Sequence, residues 1–159
     1  MKMRKFVTAA AMAAAAVPLV GAVANAGPPM MAAGTGITDE GNTWGFNAKA
    51  DLGGEFTYVS HNGVFKVKCH GYTKYVEQFN DGGWPQAHFF GTCTDQNGAT
   101  IYMETYAVDR GEPGLNDSAR IYFTHNVAFT DDIDNHVGQP DVYADTGKIT
   151  HGNIQVLGL

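Results

Sequence analysis

The stretch GEFTYVSHNGVFKVKCHG, residues 54–71, constrains the fold of this chain more than any other. Apolar and polar residues alternate on both sides of Asn62-Gly63. That dipeptide signals a two-residue hairpin turn in which both positions take φ > 0. His61 then opposes Val64, Ser60 opposes Phe65, Tyr58 opposes Val67 and Phe56 opposes Cys69. These pairs share one largely apolar face. Val59 with Lys66, Thr57 with Lys68 and Glu55 with His70 share the other. The turn and the pattern agree, and Cys69 points inward.

A second hairpin, QAHFFGTCTDQNGATIYMETYAV (86–108), discriminates between registers. A two-residue turn at Asn97-Gly98 would put Glu104 on the face of Phe89. A three-residue turn, Gln96-Asn97-Gly98 with Gly98 left-handed, shifts the register by one. Cys93 then opposes Ile101, Gly91 opposes Met103 and Phe89 opposes Thr105, with Tyr102, Glu104 and Tyr106 outside. This register gathers the apolar residues and turns both cysteines inward. It predicts that Ile101 and Met103 are more buried than Tyr102 and Glu104.

The same alternation places strands at 44–50 (Trp44, Phe46 and Ala48 inward), at 118–126 (Ile121 and Phe123 on one face) and at 148–157 (Ile154 and Val156 inward). No window carries a helical period. The expected fold is all-β: one antiparallel sandwich or flattened barrel of about seven to nine short strands. Cys69 and Cys93 are the two cysteines of the chain. In an exported protein they pair as a disulfide, with Cα atoms expected about 4.4–6.8 Å apart.

Export is itself read from the first 26 residues. Lys2, Arg4 and Lys5 precede an Ala/Val-rich run from Phe6 to Val23, and Ala24-Asn25-Ala26 offers a cleavage site before Gly27. This is the three-part layout of a secretory signal peptide. A Gly/Pro/Met segment, 27–36, is expected to be flexible, and 37–159 to form a single β domain. The mature chain would have 133 residues (159 minus 26) and be secreted, with no membrane insertion after cleavage. Three of the ten bases fall in the leader, leaving seven against 16 acids, a net charge of −9. Such a balance disfavours nucleic acid as a partner.

Two regions could carry a site. DRGEPGLND (109–117) holds Asp109, Glu112 and Asp117, oxygen ligands for a hard cation. Read the other way it is a solvated turn built on Pro113-Gly114. The run Asp131-Asp132-Ile133-Asp134-Asn135 is a second acidic loop, favoured as solvated. Calcium as a structural staple is the one cofactor these loops suggest. GYTKYVEQFNDGGWPQ (71–86) sets Tyr72, Tyr75, Phe79 and Trp84 around a glycine-rich turn. Such aromatics either stack on a ligand or plug one end of the core. The six histidines, His61, His70, His88, His125, His136 and His151, form no H-x-x-x-H or H-x-H pair. No catalytic motif is present.

The ordered set WGFNAK, FFGTC, Asp109 with RGEPG, Asp117 and the closing HGNIQV resembles the post-choice-of-anchor-A type domains, small exported bacterial β-domains. The likeness covers residues 37 to 157. The chain departs from it in a longer, more acidic segment from Asn126 to Lys148, and in His151-Gly152 where two glycines are expected. The resemblance implies secretion and an all-β fold, with no established activity to carry over. The reading that follows is a secreted, non-enzymatic module that binds an extracellular glycan, polymer or protein. The alternative is a small barrel enzyme, a hydrolase or cyclase, with an internal His/carboxylate pocket.

Overall fold

A computed structural model describes residues 31–111, 114 and 116–159. Ten strands form one antiparallel sheet. They are β1 (Met31–Thr38), β2 (Thr43–Lys49), β3 (Gly54–Val59), β4 (Lys66–His70), β5 (Lys74–Phe79), β6 (Pro85–Asp95), β7 (Thr100–Val108), β8 (Ser118–Thr124), β9 (Val142–Asp145) and β10 (Ile149–Leu157). The order across the sheet is β10-β1-β2-β3-β4-β6-β7-β8-β9, and β5 pairs with β6 beyond the end of β4. Two short 3-10 helices, Val127–Phe129 and Ile133–His136, lie between β8 and β9.

The sheet curls into a half-barrel and fills its own concave side. Phe46 of β2 meets Phe89 of β6 with ring centroids 5.0 Å apart, although β3 and β4 separate those strands in the sheet. Tyr58 of β3 likewise meets Phe123 of β8 at 5.1 Å. Phe56, Phe89, Met103, Ile121 and Ile154 complete this core. Burial of such side chains contributes roughly 1.5–3 kcal/mol each.

Both predicted registers hold. Phe56 pairs with Cys69 and Tyr58 with Val67. Cys93 pairs with Ile101, Gly91 with Met103 and Phe89 with Thr105. The turns differ in one respect. At 96–98 the chain makes the three-residue turn, with Gly98 at φ +82° and Asp95 Oδ1 accepting the N–H groups of Asn97 and Ala99. The β5–β6 turn repeats this device with Gly83 at φ +75° and Asn80 as the acceptor. The Asn62-Gly63 turn is instead a four-residue loop closed by Ser60 N–H to the Phe65 carbonyl, and only Gly63 has positive φ. Two- and four-residue loops have the same parity, so the strand side chains of β3 and β4 kept their predicted faces, while His61 and Val64 became exposed loop residues.

The strand count and the N-terminal boundary need correction. Residues 31–36, expected to be flexible, belong to β1, which pairs with both β2 and β10. Their small side chains carry no alternation because the space above them is already taken. A Cβ on Gly34 would lie 2.9 Å from the Phe46 ring, and one on Gly36 would lie 2.4 Å from Trp44. Residues 27–30 and the leader lie outside the described residues.

Cys69 and Cys93 form a buried disulfide directly across β4 and β6. Their Cα separation of 4.2 Å is just under the expected window. It matches the closer, non-hydrogen-bonded pairs of an antiparallel ladder. The bond spans a sequence separation of 24. Replacing both cysteines by alanine should lower stability by about 3.5 kcal/mol on the loop-entropy account. Urea unfolding checks this, and a loss below about 1 kcal/mol would remove the disulfide from the list of main stabilisers.

Candidate functional site

The acidic turn proves to be a clasp between distant strands. β10 pairs with β1 along one edge and has no strand along the other. Its outward N–H groups therefore need other acceptors. Asp117 Oδ2 accepts the Ile154 N–H at 2.7 Å, and Asp109 Oδ2 accepts the Val156 N–H at 3.1 Å. The remaining oxygens hold the loop itself: Asp117 Oδ1 takes the Arg110 N–H and Asp109 Oδ1 takes the Gly111 N–H. Gly114 packs so closely that an added Cβ would lie 2.2 Å from Asn153 Oδ1. Glu112, the third predicted ligand, lies outside the described residues. Among the described residues no three His, Cys, Asp or Glu side chains converge as a metal cluster.

Of the four aromatics singled out, Tyr72 and Tyr75 pack against the core, and Trp84 is 44% exposed at the tip of the β5–β6 hairpin. Tyr72 is a core residue. Its ring packs edge-on against Phe89, and its hydroxyl donates to the Asn47 and Glu55 carbonyls. Tyr75 is half-buried against Phe89 and bonds the Glu77 carboxylate. Phe79, grouped with Trp84 in the sequence reading, is the other exposed ring of this hairpin, at 59%.

The convex face of β5–β8 holds the residues that sequence reasoning missed. One cross-strand row reads Val76, His88, Tyr106, Arg120. His88 stacks on Tyr106 at 3.9 Å, and the Arg120 guanidinium lies 4.8 Å from the centre of the same ring. The neighbouring row contains Glu104, expected outside and found 1% exposed. Its face was predicted correctly, but the 127–136 segment covers that face. Ile133 of this strap is fully buried and anchors the acidic run at its centre, while Asp131 and Asn135 stay exposed. Glu104 Oε1 meets His88 Nε2 at 2.8 Å and the Tyr106 hydroxyl at 3.0 Å. Oε2 accepts the Asp134 N–H at 2.9 Å, and Tyr106 also donates to Asp134 Oδ2. Burial alone would raise the Glu104 pKa. The hydrogen bonds from His88, the Asp134 N–H and Tyr106 outweigh it and hold the carboxyl below its ordinary value. Burial and the Glu104 charge push the Tyr106 hydroxyl upward, so it remains a neutral donor.

Beside this row lies a groove of about 760 Å³. Its floor is the next cross-strand row, running from Gln78 through Gln86 and Val108 to Ser118. Phe79, Asp81 and Gly82 of the hairpin tip bound one side, and 146–148 bounds another. Arg110, Arg120 and Lys148 line it, and none forms an ion pair with a described carboxylate. Trp84 stands against the tip, its Cδ1 placed 3.2 Å from where a Gly82 Cβ would be.

At the far end of the sheet, Asp145 Oδ2 accepts the Tyr58 hydroxyl and the Asn42 amide, both at 2.9 Å. The Tyr143 hydroxyl joins Tyr58 at 2.8 Å. This buried network ties β9 to β3 and to the β1–β2 turn. Among the described residues no helix is long and apolar enough to cross a membrane. Comparison with protein-family models, curated proteins and solved structures returns no match for this chain.

Two outcomes follow. Asp117→Ala leaves the Ile154 and Arg110 N–H groups without their acceptor and should cost about 3 kcal/mol. Amide exchange at Ile154 should accelerate in parallel, and an unchanged exchange rate would remove the clasp. The Glu104 carboxyl has a folded pKa below its ordinary 4.5. Its contribution is therefore present above about pH 4.5 and is lost as pH falls through the folded value. Glu104→Gln should cost about 2 kcal/mol at pH 7. The gap to the parent should narrow below pH 4.5 in urea melts, and a pH-independent gap would contradict the ionised assignment.

Proposed function

We propose that the mature chain is a secreted, non-enzymatic bacterial β domain of the post-choice-of-anchor-A type. It works at the cell surface or in the medium, and it binds an extended extracellular polymer along the groove beside the Trp84 hairpin. The observation that carries this reading is the pairing of an open, polar groove with two exposed aromatic rings, Phe79 and Trp84, on one hairpin tip. Exposed aromatics beside hydrogen-bonding side chains suit ligands with one apolar and one polar face. The disulfide is compatible with an oxidising compartment.

The alternative of an enzyme with an internal His/carboxylate pocket finds less support. The concave side is filled by Phe46, Phe56, Phe89, Met103 and Phe123. The His88–Glu104 pair lies on the convex face, and both Glu104 oxygens hold protein groups.

The chain has two tryptophans, and Trp44 is buried, so a change in fluorescence emission on binding reports chiefly on Trp84. Titration with dextran, mannan, xylan and polygalacturonate should find at least one binder. Trp84→Ala should weaken it about tenfold, roughly 1.4 kcal/mol, with the melting midpoint kept. Full retention of binding in Trp84→Ala would overturn this placement of the surface.

A further inference from the structure

After residue 26 the chain has seven bases among 16 acids. Three of those seven, including both arginines, line the one groove. Chance placement on an acidic surface does not concentrate cations this way, and the protein supplies them no described carboxylate partner. Arg120 is also held in place. Its guanidinium lies over Tyr106, which is stacked on His88 and hydrogen-bonded to the buried Glu104. Arg120 also bonds the Tyr122 hydroxyl, and the N–H groups of its planar fork beyond that bond match a carboxylate.

We infer that the groove takes a carboxylate-bearing polysaccharide. This rests on the binding reading above and names its ligand class. Arg110, Arg120 and Lys148 meet the carboxylates. Gln78 and Gln86 on the floor offer amide donors and acceptors to sugar hydroxyls. Asp81, the one acidic side chain among the described residues lining the groove, is an acceptor for a hydroxyl. Phe79 and Trp84 at the tip offer ring faces to the C–H faces of the sugars. An acidic peptide would use the cations but leave the amide floor and the rings without a matching surface. A nucleic acid needs one phosphate neutralised per nucleotide along its length, and the three cations of a short groove supply too few.

The test measures the affinity of the mature, oxidised chain for polygalacturonate and for its fully methyl-esterified form, which share one backbone and differ in the carboxylate and its methyl ester. The acid form should bind at least tenfold more tightly, and the difference should shrink as NaCl is raised. Arg110→Gln and Lys148→Gln, both at exposed positions, should each weaken the acid form several-fold. Arg120→Gln should weaken it about tenfold and Arg120→Lys by less, with melting midpoints checked for each. Equal binding of both forms, unchanged in the arginine variants but weakened in Trp84→Ala, overturns the carboxylate assignment and leaves the groove reading standing. Binding of neither form overturns the carboxylate assignment. The neutral polymers then decide the groove reading by themselves. Polyglutamate binding as tightly as polygalacturonate overturns the polysaccharide class.

Discussion

An open sheet of ten strands has two edges, and the structure depends on how those edges are held together. No strand ladder joins β9 or β8 to β10. The gap is bridged instead by carboxylates. Asp109 and Asp117 take two outward N–H groups of β10, and Asp145 at the other end gathers Tyr58 and Asn42. A charged acceptor for a backbone donor gives a stronger hydrogen bond than a neutral one. Two side chains, Asp109 and Asp117, thus hold a seam that would otherwise need another strand, and Asp145 ties β9 to β3 and the β1–β2 turn. The clasp also lets the sheet curl tightly enough for Phe46 to reach Phe89 across the interior.

The convex face needed a separate solution. Phe90, Tyr122 and Glu104 are too buried to face water, and the segment between β8 and β9 folds over them through Ile133. Glu104 then becomes the anchor of that strap. A buried carboxylate is costly unless its acceptors are used, and here both oxygens are. The row of His88, Tyr106 and Arg120 runs from this anchor to the open groove. A structural cluster therefore sets the position of a surface cation. Under the proposed function, stability and binding are linked through one stacked row of side chains, not through a shared pocket.

The groove occupies the place where three connections meet: the β5–β6 turn, the end of β7 and the β9–β10 link. Each carries hydrogen bonds at its described residues. Asn80 holds the first, Asp117 the second, and Asp39 accepts the Lys148 N–H at the third. A polar surface on stiff supports loses little conformational freedom when a ligand arrives. That is the physical ground for reading this corner, and not the filled interior, as the contact surface.

Much of the fold was legible in the sequence because a β-strand has a period of two. Parity alone assigned Phe56, Tyr58, Cys69, Cys93, Ile101 and Met103 to the interior, and it survived an error in the Asn62-Gly63 turn. What parity cannot show is whether a face is later covered. Glu104 had the right face and the wrong burial, because its cover comes from residues about 30 positions onward. β1 escaped notice because its glycines serve the rings of Trp44 and Phe46, and small residues leave no alternating signal. DRGEPGLND was readable as a turn, but its partners, Ile154 and Val156, lie 37 and 47 residues away from the aspartates they bind. The arginines and the lysine of the groove sit on separate connections with no common spacing. Local pattern determined strands, faces and the disulfide. The curl of the sheet decided the clasp, the strap and the groove, because each is made of residues that only long-range closure brings together.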